Sequence, residues 1–131
     1  MFERIDHVGI VVAEIDSALS VYSESFGMEL VHREVLDELG LEVALLEIGE
    51  SHIELLAPLS PDSVIGDAGP GMHHVAYGVG DLDASLALLR ERGVELVDGF
   101  PKAGVRSSRI AFVHPHAAGG VLTELVQAAP A

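Results

Sequence analysis

The chain has 131 residues, enough for one folded domain, and its 49% hydrophobic and 21% charged residues are typical of a globular protein. A net charge of −14 argues against binding to nucleic acid or to anionic membranes, because phosphates require a basic surface. No apolar run approaches the ~20 residues of a membrane-spanning helix. Without cysteines or a signal-like N-terminus, we expect a cytoplasmic protein.

The first half of the chain reads as strand, helix, strand, strand, strand. The run DHVGIVV alternates as a strand does, and the residues after it change to helical spacing. Asp16 is the expected N-cap of this helix, and Gly27 is placed to end it. Three strand predictions follow, over residues 28–36, 41–49 and 52–58, with Gly49-Glu50-Ser51 as a tight turn between the last two.

The second half repeats the same order of elements. A Pro- and Gly-rich linker at 59–71 precedes a strand at 72–80 and a helix that closes at Gly93. Three more strand predictions follow, VELVDGF, SRIAFVHP and GVLTELVQA. The order predicts an internal duplication within a single domain over 1–131, with module 1 at about 4–58 and module 2 at about 72–128.

One histidine and one glutamate recur at equivalent positions of the two halves. His7 and His74 each begin a strand face that continues with small residues, and Glu54 and Glu124 each lie in the last strand of their half. A buried Glu is costly unless it has a partner. Two imidazoles and two carboxylates suit a divalent transition metal with open coordination positions, so these four residues are the candidate ligands.

Other assignments of these residues stay open from the pattern alone. The two histidines could be capping residues at the edge of the core, and the two glutamates could face solvent on one-sided strands. His52 shares the strand face of Glu54 and is the best substitute ligand. Either His114 or His116 could border the site formed by the four candidate ligands. Three basic residues could meet an anionic substrate or could be ordinary surface bases: Lys102, Arg106 and Arg109.

Several motifs resemble the vicinal oxygen chelate superfamily, which includes glyoxalases, bleomycin resistance proteins and dioxygenases. They are RIDHVGIVV, IELLAPL, GMHHVAYGV and HPHAAGGVLTELVQ, and they look most like the methylmalonyl-CoA epimerase family. The resemblance runs from about residue 4 to 128. It implies an α+β fold of two tandem βαβββ modules, with a curled eight-stranded mixed sheet and helices on its convex face. It also implies a homodimer.

The resemblance implies an isomerase that exchanges the C2 proton of methylmalonyl-CoA, or a similar acyl-CoA, through a metal-stabilised enolate. The family's ligands fall on His7, Glu54, His74 and Glu124, and the ion would be cobalt, manganese, nickel or zinc. Glu54 and Glu124 would transfer the proton, Glu54 being favoured as base and Glu124 as ligand. The alternatives are a glyoxalase I-like enzyme of the same superfamily and a metal-free module that binds small molecules.

One departure from the family pattern concerns the base. Some members carry Gln where this chain has Glu54, and they place a separate Glu in the preceding strand. This chain has Val43 there, beside Glu42. Proton transfer would therefore depend on Glu54 itself.

Overall fold

The computed structural model describes residues 1–130, and its strands form one mixed sheet. The strands are β1 (Phe2–Val11), β2 (Glu29–Leu36), β3 (Leu41–Ile48), β4 (Ser51–Pro58), β5 (Gly71–Val79), β6 (Lys102–Ala103), β7 (Arg109–Val113) and β8 (Thr123–Gln127). Their order across the sheet is β2-β3-β4-β1-β5-β8-β7-β6. The predicted α+β fold, with a mixed sheet of eight strands, is confirmed.

Two compact units divide the chain at a point inside β1. We call His7–His73 the first unit, and Met1–Asp6 together with His74–Ala131 the second unit. The start of β1 therefore belongs with β5 to β8, and the rest of β1 belongs with β2 to β4. The single domain and its module boundaries stay a prediction.

In the first unit, one parallel and two antiparallel pairings build the sheet. β1 runs parallel to β4, and β3 pairs antiparallel with both β4 and β2. A short helix, α1 (Ile15–Leu19), continues into a π-helical segment at Ser20–Ser25. Ile15 packs with residues of β3 and β4 in the core of this unit: Ala44, Leu46, Leu55 and Ala57. The helix thus covers the strand face opposite to the one that carries Glu54.

The expected N-cap of this first helix was wrong. Glu14, not Asp16, holds the extended N-cap position, and its side chain makes no capping hydrogen bond to the backbone. Asp16 instead accepts a hydrogen bond of 2.7 Å from the guanidinium of Arg33 on β2. The ion pair with Arg33 satisfies the carboxylate that the sequence pattern had placed at the cap.

The second unit has a longer and more regular helix. α2 (Leu82–Glu91) begins at Asp81, whose carboxylate accepts a hydrogen bond from the backbone N–H of Ala84. Such a bond satisfies one of the free N–H groups at a helix start. β5 runs parallel to β8, and β7 is antiparallel to β8 and β6. The core joins the helix to these strands through Val79, Leu82, Leu86, Leu89, Ala111, Val113 and Leu125.

The strand predicted over VELVDGF was also wrong. Only Leu96 pairs there, in an isolated bridge to Val113, and the short strand β6 comes later. Gly99 has a φ of +88°, which turns the chain, and Pro101 has no N–H to donate to a ladder. The remaining strand predictions match observed strands within a few residues.

Positive backbone φ angles confirm the predicted chain reversals. Gly27 and Gly93 follow the two helical segments with φ values of +75° and +76°, and Gly49 forms the β3–β4 turn with φ +57°. These angles favour glycine because a Cβ atom would be strained there. No helix among the described residues is long and apolar enough to cross a membrane.

Candidate functional site

The first unit holds His7 on β1 and Glu54 on β4. The parallel register places His7 beside His52 and Gly9 beside Glu54. The imidazole Nε2 of His7 lies 3.5 Å from Oε1 of Glu54, and the two residues are only 3% and 6% exposed. A strand face that would otherwise be apolar therefore carries a buried imidazole–carboxylate pair.

The second unit repeats this pair with His74 on β5 and Glu124 on β8. The register places Ala76 beside Glu124, so each histidine precedes by two residues the strand partner of its glutamate. Nε2 of His74 lies 2.8 Å from Oε1 of Glu124, and both residues are buried. The rings of His74 and Phe112 are also in contact, nearly perpendicular to each other, with their centroids 5.8 Å apart. The predicted equivalence of the two halves holds in the backbone register.

Burial makes both pairs chemically unusual. Taking an ionised carboxylate out of water costs several kcal/mol unless a hydrogen bond or an opposite charge compensates. The nearby imidazole nitrogen is one such partner in each unit. Each pair also offers two atoms that a divalent transition metal could bind, since neutral imidazole and carboxylate are both good ligands for such metals.

The strand next to Glu54 offers no second buried carboxylate on the same face, since Glu47, which shares that face, is exposed. In the β3–β4 register, Leu45 lies beside Glu54 and Val43 beside Leu56, so Val43 shares the face of Glu54 and is fully buried. Glu42 has the opposite parity and accepts a hydrogen bond of 2.9 Å from Arg33. Glu54 is therefore the acidic residue that this part of the first unit presents at the buried face.

Other sequence-predicted residues lie in different surroundings. His52 is half-buried beside His7 in the register. His114 and His116 instead pair with the carboxylate of Glu95, a residue that the sequence pattern did not single out. Nothing in the sequence pointed to Glu95, because its position depends on the backbone bridge between the 94–97 segment and β7.

Of the three basic residues considered for an anionic substrate, Arg109 and Lys102 have separate partners. Arg109 donates two hydrogen bonds to the carboxylate of Asp83, at 3.1 and 3.2 Å. These bonds lower the pKa of Asp83 and raise the pKa of Arg109. The ammonium of Lys102 lies 5.4 Å from the centre of the Phe100 ring. Arg109 is thus already engaged with an acid of the helix.

Comparisons with known proteins agree on one superfamily. Residues 6–112 match the Glyoxalase/Bleomycin resistance protein/Dioxygenase superfamily model. The ethylmalonyl-CoA/methylmalonyl-CoA epimerase of Cereibacter sphaeroides is 32% identical over 133 residues, which cover 97% of this chain and 99% of that protein.

Two solved structures are similar over nearly the whole chain. Methylmalonyl-CoA epimerase from Mycobacterium tuberculosis is 45% identical, with a TM-score of 0.92 and coverage of 98% of this chain and 90% of that one. The Streptomyces coelicolor methylmalonyl-CoA epimerase, in complex with 2-nitronate-propionyl-CoA, is 39% identical, with a TM-score of 0.93 and coverage of 99% and 100%.

Proposed function

The chain belongs to the glyoxalase/bleomycin resistance protein/dioxygenase superfamily, and from this premise we propose that it is a divalent-metal-dependent epimerase of methylmalonyl-CoA or a similar acyl-CoA. The observation that carries the proposal is the buried His–Glu pair, repeated at the same register in each unit. Several relatives that share most of the chain's length are epimerases by name, which supports the choice of reaction.

The proposed metal ligands are His7, Glu54, His74 and Glu124. Each unit supplies one buried imidazole and one buried carboxylate to this proposed set. One pair offers only two protein ligands, whereas divalent transition metals take four to six. A resident ion would therefore need both pairs, and it would keep positions open for substrate oxygens. Cobalt, manganese, nickel and zinc all accept such a mixed set.

The chemistry proposed for this set is exchange of the proton on C2 of the acyl group. A bound divalent ion would supply Lewis-acid stabilisation of the negative charge that develops when the proton leaves. Inversion at C2 also needs one group to remove the proton and another to return it on the opposite face. We assign these two roles to the carboxylates of Glu54 and Glu124.

Glu54 is favoured as the base that removes the proton. On the same face of β3, neither Leu45 nor Val43 can accept a proton, and Glu42, on the other face, is engaged by Arg33. Glu124 lies closer to its histidine than Glu54 does, at 2.8 Å against 3.5 Å. The shorter contact suits a fixed ligand, and the longer contact leaves Glu54 more freedom to exchange a proton.

The test is an assay of the metal-reconstituted protein with one epimer of methylmalonyl-CoA in deuterated water. We expect deuterium to enter at C2 while the second epimer accumulates. The same preparation is then given methylglyoxal and glutathione, and we expect no S-lactoylglutathione to form. Glu91→Gln, an exposed change on α2, is the matched control and is expected to leave the epimerisation rate unchanged.

Two results would overturn the proposal. Formation of S-lactoylglutathione without C2 exchange would identify a glyoxalase I-like enzyme. Absence of a bound divalent ion after metal-supplemented expression, together with no turnover, would identify a binding module. The expected homodimer stays a prediction, which light scattering on the purified protein would check.

A further inference from the structure

A second group of metal-ligating side chains lies at the surface of the second unit. Glu95, His114 and His116 each offer one ligand atom, and these atoms lie within 4.8 Å of one another. Nε2 of His116 is 3.3 Å from one carboxylate oxygen of Glu95, and Nε2 of His114 is 3.8 Å from the other. None of these residues belongs to the buried His–Glu pairs.

The backbone holds the three side chains in place. The N–H of His114 donates a hydrogen bond of 2.9 Å to the carbonyl of Glu95, beside the bridge between Leu96 and Val113. A 3₁₀ turn over Pro115–Ala118 then brings His116 back toward His114, with the ring centroids 4.1 Å apart. The backbone therefore holds this cluster at the end of β7.

One nitrogen of His114 is withdrawn from solvent. Its Nδ1 atom is buried and has no hydrogen-bond partner among the described residues. The Nε2 atom, which faces Glu95, is then the nitrogen through which this imidazole can reach a ligand. His116 and Glu95 are exposed by 61% and 58% at their side chains, so the cluster is open to water.

The spacing of these atoms suits a tetrahedral metal. Metal–ligand bonds of about 2.0–2.2 Å place the ligands of a tetrahedral Zn²⁺ roughly 3.3–3.6 Å apart. The observed nitrogen–oxygen distances of 3.3 and 3.8 Å, one to each carboxylate oxygen of Glu95, lie in or near that range. Two imidazoles and one carboxylate form a ligand set known from zinc sites, with the fourth position left to water.

We propose that Glu95, His114 and His116 form a second, surface site for a divalent transition metal such as Zn²⁺. The competing explanation is an ion pair between protonated histidines and Glu95, which would need no metal. The two explanations can be distinguished by counting bound ions, because only a metal site would raise the number of Zn²⁺ ions that each chain binds.

The experiment titrates Zn²⁺ into the metal-stripped full chain by isothermal calorimetry. We expect the native chain to bind one more Zn²⁺ than His116→Gln, or to bind that ion at least about tenfold more tightly, since even outer-sphere changes commonly cost tenfold or more. Glu95→Gln should lose the same ion, which separates ligand loss from misfolding of one variant. His32→Gln removes another histidine that contacts an acid, Glu34, and should keep the native stoichiometry.

A spectroscopic measurement accompanies the titration. The imidazole Cε1–H resonances of His114 and His116 should shift as the additional Zn²⁺ binds, and that of His32 should not. Equal stoichiometry and affinity in the native chain and in both cluster variants would overturn the proposal and leave an ion pair only. The comparison is a difference between variants, so it holds whether or not the buried pairs also bind an ion.

Discussion

The two His–Glu pairs share a register but differ in their surroundings. Each histidine precedes by two residues the strand partner of its glutamate, which is Gly9 in the first unit and Ala76 in the second. Beside Glu54 the neighbouring antiparallel strand places Leu45, whereas beside Glu124 it places Phe112, whose ring meets His74. The second pair is also the tighter one.

The difference shows which strands set the register of the two pairs. The parallel pairs β1/β4 and β5/β8 keep the ligand register, while the outer strands have diverged: β2 and β3 have eight residues each, whereas β6 has two. The helices differ as well, since α1 ends in a π-helical segment and α2 is regular. Only the central parallel strands need to match for the two units to carry equivalent His–Glu pairs.

The largest expected effect comes from replacing Glu54 and Glu124, to which we assign different roles. Glu54→Gln should lower the rate of C2 proton exchange by about 10²-fold or more, because a carboxamide cannot act as the base. Metal content should change little, since Gln stands at this position in some members of the family. Glu124→Gln should instead weaken metal affinity by at least about tenfold. Elemental analysis and the deuterium assay measure the two quantities on the same samples.

A reversed pattern would contradict this division of labour. If Glu54→Gln lost the metal while Glu124→Gln kept it and lost only proton exchange, the base would lie in the second unit. Glu91→Gln serves again as the exposed control on α2.

An effect of intermediate size is expected on stability when the N-cap side chains of α1 and α2 are removed. Asp81→Ala removes the side-chain bond to the N–H of Ala84 and should lower the free energy of unfolding by about 1 kcal/mol. Glu14→Ala removes no capping bond to the backbone and should cost clearly less. Urea unfolding of both variants gives the comparison. Equal losses would mean that the cap of α2 does not distinguish the two helices.

The smallest effect is a pH dependence confined to the second unit. Arg109 lowers the pKa of Asp83 below its ordinary value of 3.8, so this pair stabilises the folded chain above that value. The contribution is lost as the pH falls through the lowered pKa. Arg109→Gln should return the pKa of Asp83 toward 3.8, as measured by carboxyl NMR titration. An unchanged titration would show that the ion pair does not persist in solution.

Sequence periodicity predicted most of the fold because the same order of strand and helix patterns occurs twice in the chain. Gly27 and Gly93 marked both helix ends, and the matched histidines and glutamates marked the central strands. Local patterns could not predict the cap at Glu14, because the ion pair between Asp16 and Arg33 joins residues far apart in the chain.

The same limit applies to the surface cluster and to the strand at VELVDGF. A run of Val and Leu resembled a strand, but a turn at Gly99 and a proline at 101 left a single bridge. That bridge places Glu95 next to His114. The wrong strand prediction and the failure to single out Glu95 therefore have the same cause. Both outcomes depend on backbone pairing between segments that are distant in the sequence, which local sequence patterns do not describe.

The division of β1 between the two units bears on how fast the chain folds. Phe2 stacks on Tyr77 at a centroid distance of 4.8 Å, while Val11 of the same strand pairs with Leu56. Contacts between residues so distant in sequence slow folding, because the intervening loop must close first. β1 therefore cannot form all of its contacts until β5 is in place. We expect the assembly of β1 to be the slow step of folding.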